Sequence, residues 1–270
     1  MRRALASLLL AATAAGSAAA CPAPLADAQV EVYPTAEELP ANLLRFFVYF
    51  PRPMERGDIL DHIALVDDMG RDVDGAFLGN RYDLWSPDAT RLTLLLDPGR
   101  VKTGLAAHEA MGRAFEEGQS YSLIVRATAE DATGCALGDQ VVQSFVTGPP
   151  DLDPPTPGDW VLARPAAGSR DPLAVDLGSP HDHLSLVYRL RVLDPEGDPV
   201  PGRIDLGDGE SVWRFTPAHP WPDAPHRLAI NEQLEDLAGN RPGVLFDRPI
   251  NAAMADWVAH LDWLPVPARR

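Results

Sequence analysis

The chain has 270 residues with 39 acidic against 23 basic side chains, a formal net charge of -16, and a surface of that sign repels the phosphate backbones whose counterion release drives nucleic-acid binding. Its 27 prolines and 21 glycines interrupt the pattern too often for long helices, and beyond the leader no stretch has the roughly 18 apolar residues of a membrane-spanning helix.

The chain opens with Arg2 and Arg3, continues through the mostly apolar residues 4–14, and reaches Ala18-Ala19-Ala20. A positive start, a short apolar run and small residues at a cleavage point describe a secretory signal. Residues 1–20 are therefore set aside from the fold. Taking Arg2 and Arg3 from the 23 basic residues leaves 21 against 39 acidic ones, a net of -18.

Cys21 follows directly, where a bacterial lipoprotein would carry its lipid, although Ala18 stands where the usual lipobox has a larger aliphatic residue. The one other cysteine is Cys135. In an oxidising compartment the two can pair. A lipidated sulfur cannot, so the two fates of Cys21 exclude each other. The expected location is outside the cytoplasm: periplasm, outer membrane lipoprotein or cell surface, with membrane contact only through that lipid.

Residues 28–148 form the first expected domain. Phe46, Val48 and Phe50 alternate, as do Leu92, Leu94 and Leu96, and Tyr121, Leu123 and Val125. Alternation of period two buries one face of a strand and wets the other. Turn residues such as Asp67-Asp68-Met69-Gly70 separate the runs,. That hairpin also gathers Asp67, Asp68, Asp72 and Asp74, oxygen donors of the type calcium takes. An EF-hand would need a glutamate at the twelfth position, and turn chemistry accounts for the aspartates as well. A long segment between Pro98 and Leu123 holds Arg100, Lys102, His108 and Arg113. Long loops in compact domains are commonly functional, so these four are candidates for a partner-binding loop.

Residues 149–159 hold Pro149, Pro150, Pro154, Pro155 and Pro157. Proline stiffens a linker towards an extended form, which predicts a spacer keeping two domains apart. Residues 160–250 form the second expected domain, with Leu186, Tyr188, Leu190 and Val192 in alternation. His181 and His183 flank Asp182. On a strand, side chains two apart share a face, and imidazoles suit copper or zinc. Residues 251–270 are a tail in which Met254, Trp257, Val258 and Leu261 fall at helical spacing, read as a short helix or an aromatic strap docked on the second domain.

The two expected domains repeat one another. Phe46, Val48, Phe50 and Pro53 match Leu173, Val175, Leu177 and Pro180 at an offset of 127, and Asp67, Gly70, Val73 and Gly75 match Asp194, Gly197, Val200 and Gly202 at the same offset. Leu123, Val125, Glu130, Asp131 and Gly134 match Leu228, Ile230, Glu235, Asp236 and Gly239 at 105, and Phe145 is paired with Phe246 in the closing runs. The first copy is thus longer by 22 residues, 14 of them between Pro98 and Leu123. About six or seven short strands per copy predict an all-β protein of two tandem Greek-key β-sandwiches. Trp85, Trp213 and Trp221 are expected in their cores.

These residues resemble the bacterial Ig-like domains of the S-layer type: a strand ending at Phe50, Pro53 and Met54, then Asp67, Gly70, Val73 and Gly75, then Asp131 and Gly134 before the closing strand. The second copy offers Pro180, Asp194, Gly197, Val200, Gly202, Asp236, Gly239 and Asn240, with His181 in place of the methionine, while Cys135 of the first copy replaces the asparagine. The resemblance implies accessory modules of exported proteins that stiffen, space or bind, with no shared active site and no cofactor. The sequence lacks a GxSxG elbow, an HExxH helix and a Gly-rich phosphate loop,. The reading is a non-catalytic envelope protein of two Ig-like modules acting in binding or spacing, its partner an envelope protein or glycan. The alternative is a periplasmic copper- or zinc-binding protein using His181 and His183. Some copper-resistance chaperones are similar sandwiches, though they ligate partly through an N-terminal histidine that this chain lacks. A hydrolase or hydrolase accessory subunit is a third reading.

Overall fold

The computed structural model describes residues 21, 29–79, 84–102, 112–207, 209–247 and 258–267. The expected signal, His108, Met254 and Trp257 lie outside them. The described residues form four sheets.

The first half contributes β1 (Glu31–Tyr33), β2 (Glu38–Pro40), β3 (Arg45–Tyr49), β4 (Ile63–Asp67), β5 (Arg91–Leu95), β6 (Ser120–Val125) and β7 (Val141–Gly148). They pair as β1-β3-β5 and β2-β7-β6-β4, with β2 parallel to β7. In Ig lettering this is A-B-E against A′-G-F-C. Phe46, Val48, Leu92, Leu94, Leu123, Val125 and Phe145 fill the space between the sheets. The alternation read from the sequence is the alternation of burial along β5 and β6.

The second half contributes β8 (Val161–Ala163), β9 (Leu173–Asp176), β10 (Leu190–Leu193), β11 (Gly202–Gly207), β12 (Val212–Pro217), β13 (His226–Ile230) and β14 (His260–Trp263). Their orders are β11-β12-β9-β8 and β10-β13-β14. That is A-B-E-D against C-F-G, the seven-strand arrangement of constant-type Ig domains. Trp213 and Trp221 are fully buried and Trp160 and Trp263 nearly so. Each such side chain contributes about 1.5–3 kcal/mol by leaving water, and each of Trp213 and Trp221 places its indole N–H on a carbonyl, of Leu186 and Asp171. Trp85 is only half-buried against the first core.

The repeat holds in backbone detail. The isolated bridge Met54–Asp131 recurs as His181–Asp236, and Val66–Asp72 recurs as Leu193–Pro199. Both members of each pair obey the offsets 127 and 105 read from the sequence. Pairing of Phe46 with Leu94 and of Leu173 with Phe215 aligns the two E strands at 121. Sixteen of the 22 extra residues thus fall between strands E and F.

Two expectations need correction. Phe246 is not the counterpart of Phe145. Tyr121 faces Phe145 and His226 faces Trp263, so the second sandwich closes on β14, inside the segment read as a separate tail. Phe246 lies instead against the first core. Nor does the proline segment keep the sandwiches apart. It is itself clasped, the backbone of Asp151 exchanging two hydrogen bonds of 2.8 Å with the Asn42 amide, and the sandwiches meet directly.

Candidate functional site

Among the described residues, three contacts of the junction are each set by a local feature of the chain. The first is the loop Glu235–Asn240. Asp236 closes it: Oδ1 accepts the N–H groups of Ala238 and Asn240, both at 2.9 Å, and Gly239 takes φ +79°. The turn thrusts Leu237 into the first core, where it is 6% exposed, and the Leu237 carbonyl accepts the N–H of Leu44 at 2.9 Å. Gly239 is needed for a second reason: a Cβ there would come 2.6 Å from Leu44 Cδ2.

The second contact is ionic. Arg45 on β3 gives its Nε to Asp182 Oδ2 at 2.8 Å and an Nη to Glu235. Arg241 takes the other oxygen of Glu235 at 2.9 Å. Asp182 is 6% exposed in its side chain and Glu235 15%, so these are partly desolvated, charge-assisted bonds rather than surface pairs. Asp182 also caps a short helix, α2 (His183–Tyr188; α1 is Pro98–Val101 of the first sandwich), by accepting the Ser185 N–H at 2.8 Å.

The third contact is the turn between β11 and β12. Glu210, 2% exposed and at φ +62°, receives the N–H and the hydroxyl of Thr35 at 2.7 and 2.8 Å. Burial pushes its carboxyl above the usual carboxylate range. Burial does the same to Asp236, helped by the nearby charge of Asp151, and carries it up to about 8.

The sequence candidates distribute as follows. His181 and His183 do not lie on a strand face, because the Asp182 cap turns the chain into α2. His181 is buried, its Nδ1 2.9 Å from the Ser179 carbonyl, its ring edge-on to Trp160. His183 stacks 3.7 Å from the Tyr33 ring and lies near Tyr49. Burial lowers both to about 4, so both are neutral at pH 7. His181 Nε2 and His183 Nδ1 are buried without a hydrogen-bond partner among the described residues.

Asp67 is a turn-former: its carboxylate accepts the N–H groups of Met69 and Arg71 and pairs with the Arg71 guanidinium at 2.6 Å. These bonds, the Arg71 side chain first, hold Asp67 below its ordinary value. Asp194 repeats the turn with Glu196 and Asp198. Asp68, Asp72 and Asp74 are exposed. In the loop candidate, Arg100 points inward. It is 8% exposed and donates to the carbonyls of Asp74, Gly112 and Arg113. Lys102 lies 4.1 Å above the Phe246 ring, a cation–π contact. Arg113 is half-buried. Arg100 and Lys102 thus act within the chain. Cys21 is bonded to Cys135, which occupies the sulfur that lipidation would use.

Beside the ionic contact an open groove of about 640 Å³ runs between the sandwiches. Arg45, Arg91, Arg189 and Arg241 line it, against two carboxylates, Asp182 and Glu235. Its wall is therefore net positive in a chain of net charge -16. Sequence reading missed the groove because its arginines are scattered along the chain and converge only when the sandwiches dock.

No family model and no curated protein matches the chain. Among solved structures it is similar to native alpha-2-macroglobulin of Escherichia coli spanning domains MG0-NIE-MG1, at 12% identity over 88% of this chain and 70% of that one, with a TM-score of 0.27. It is similar to the S-layer protein rSbsC(31-844) at 13% identity, over 74% and 23% of the two chains, TM-score 0.25. The N-terminal Ig1-2 module of the Drosophila receptor protein tyrosine phosphatase DLAR gives 12%, 76% and 92%, TM-score 0.24. Likeness at this level carries no function; the Ig-like assignment stands on the strand pairing.

Proposed function

We propose that the chain is a non-catalytic, exported envelope protein of the bacterial S-layer-type Ig family, in which the two sandwiches act as one stiff binding and spacing unit. The observation that supports this is the junction. Leu237 of the second sandwich completes the core of the first, and Arg45 is tied to both Asp182 and Glu235. A junction with a buried apolar plug and partly desolvated ion pairs resists the relative motion that is the default for tandem domains. Stiffness is what a spacer needs, and it fixes the loops and groove of both modules relative to one another. The leader, Arg2 and Arg3 followed by an apolar run, and the Cys21–Cys135 bond fit an oxidising, extracytoplasmic location.

Expression of the full chain in a bacterial host, with fractionation and small-angle scattering of the purified product, tests the reading. The expected result is an envelope product lacking residues 1–20 whose scattering fits one rigid two-lobed particle. A cytoplasmic product with its leader intact, or scattering that demands freely moving lobes, removes it.

A periplasmic metal-binding function is the second reading, favoured by the unpartnered ring nitrogens of His181 and His183 and by their neutrality at pH 7. Their different surroundings weigh against it. Calorimetric titration with copper(II) and zinc decides: micromolar binding abolished by a His181→Ala, His183→Ala double variant supports it, and absence of heat ends it.

A further inference from the structure

We propose that the groove between the sandwiches is a binding site for a short acidic carbohydrate, one that presents one or two carboxylates on sugar rings. The proposal rests on the binding-and-spacing reading and gives it a ligand class.

Charge comes first. Two of the four arginines in the groove, Arg45 and Arg241, are committed to the carboxylates Asp182 and Glu235. Two remain. Arg91, on β5, hydrogen-bonds Tyr49 and lies beside His183; it lines the groove with no carboxylate partner among the described residues, and its Nε is buried without a hydrogen-bond partner among them. Arg189, just after α2, has no carboxylate partner among them, and its backbone is fixed at both ends, its N–H on the Ser185 carbonyl and its carbonyl accepting the Asn231 N–H. The site thus offers two guanidinium groups, one from each sandwich, on a wall whose remaining charges are already balanced.

The neighbours then select the ligand. A guanidinium presents a flat fork that fits a carboxylate in two parallel hydrogen bonds. Tyr188, 57% exposed, offers an aromatic face at the rim, and Thr93 and Gln233 offer a hydroxyl and an amide. Forks, a flat apolar face and neutral hydrogen-bonding groups together suit a sugar ring that carries a carboxylate. A bare phosphate could take the forks and the amide but would leave the aromatic face unused. The charge of the whole chain sets the length: at -16 the surrounding surface repels a long polyanion, while a disaccharide can sit inside the groove within one Debye length of the arginines.

The test is calorimetric titration of the full chain with a di-uronic-acid disaccharide, with the neutral disaccharide of the same linkage, and with inorganic phosphate. The acidic disaccharide is expected to bind at least about 10-fold more tightly than either control, the scale of one charge-assisted hydrogen-bond pair, and to weaken as salt is raised. Arg189→Gln and Arg91→Gln, neither in the ionic clamp, are each expected to lose about 10-fold, with Arg189→Gln melting like the parent. Equal binding of the neutral sugar, phosphate binding as tight as the disaccharide, no binding of the acidic sugar, or full affinity in both variants overturns the proposal. Should a variant not fold, the three-ligand comparison on the unaltered chain decides alone. Failure here leaves an exported, rigid two-lobed particle intact, whereas failure of the underlying reading shows in fractionation and scattering.

Discussion

Asp131 and Asp236 hold the same place in the two sandwiches, and among the described residues only Asp131 faces a guanidinium, that of Arg52 with Nε 2.6 Å from Oδ2 in an ion pair too bent for a hydrogen bond. The position of Arg52 is occupied by Ser179 in the second copy. Both carboxylates are buried and both close a turn through Oδ1. Burial raises both, but at Asp131 the bonds from Thr133 and Cys135 and the charge of Arg52 outweigh it and the carboxyl ends below its ordinary value. At Asp236 burial wins and the value rises to about 8.

The two asparagine substitutions should therefore respond to pH in opposite senses. Asp131 is depressed, so its contribution is present above about pH 4 and is lost on acidification. Asp131→Asn is expected to cost about 2 kcal/mol at pH 7, the scale of a charged hydrogen bond, and to become neutral in acid. Asp236 is raised, so its contribution is present in acid and fades as pH climbs through about 8. The cost of Asp236→Asn should be largest at about pH 4, shrink steadily as pH rises towards about 8, and vanish by about pH 9. Urea denaturation of both variants across this range is the measurement, and parallel pH profiles would contradict the argument.

The parent protein should be most stable near pH 6.5. His181 and His183 are lowered by burial to about 4, from an ordinary value near 6.5. A depressed histidine stabilises the fold above its unfolded value and loses that contribution as pH falls towards the folded one. These histidines, with His226 lowered by burial in the same sense, therefore drive stability down below about pH 6.5, and Asp236, with Glu210 and Asp151 also raised by burial, gains over the same range and offsets part of that loss. Above that point the histidines are silent and Asp236, the carboxyl carried up to about 8, drives stability down. Thermal melts from pH 4.5 to 9 should trace a dome. His183→Phe should flatten its acid side and Asp236→Asn its alkaline side.

Leu237→Ala should destabilise the first sandwich although the residue belongs to the second. Removal of a buried leucine costs about 2–5 kcal/mol, and here the cavity opens under Leu44 and β3. Hydrogen exchange is expected to accelerate at Leu44, whose N–H bonds the Leu237 carbonyl, and along β3, with β13 unchanged. Exchange that accelerates only in the second sandwich would show that the plug serves its own domain.

The duplicated sandwich was legible because it is written in local patterns: period-two alternation in β5 and β6, and Asp-x-x-Gly turns at constant offsets. The junction was not, because Arg45 meets Glu235 from 190 positions away and no local pattern announces such a partner. One trace was present. In Arg45-Phe46-Phe47-Val48-Tyr49 the alternation breaks, and Phe47 is 3% exposed because its outward face is covered by His183 and its neighbours. The histidine pair was misplaced by overlooking the cap: aspartate three residues before Ser185 is a helix start. β14 was missed because His260 lies far beyond Ile230 in the sequence, and the apolar run around Phe246 between them offers itself as the closing strand.

The loops Glu130–Cys135 and Glu235–Asn240 also share a task, which leads to the last prediction. Each docks whatever precedes its sandwich in the chain. In the second copy the loop receives the first sandwich, through Leu237 and Asn240, whose Nδ2 reaches the Asp151 carbonyl. In the first copy Cys135, at the position of Asn240, receives the start of the chain through its bond to Cys21. That bond closes a loop of 114 positions, for which loss of a native disulfide costs about 2–5 kcal/mol. Cys135→Ala should therefore lower the urea midpoint, and reduction of the parent should reproduce that loss while leaving the variant unchanged. The intact mass of the purified parent should be two hydrogens below that of the reduced chain, with no titratable thiol under denaturing conditions. A diacylglycerol mass on Cys21 together with a free thiol at Cys135 would be the opposite outcome. The first sandwich would then be held to a membrane through its N-terminus, with its docking loop open.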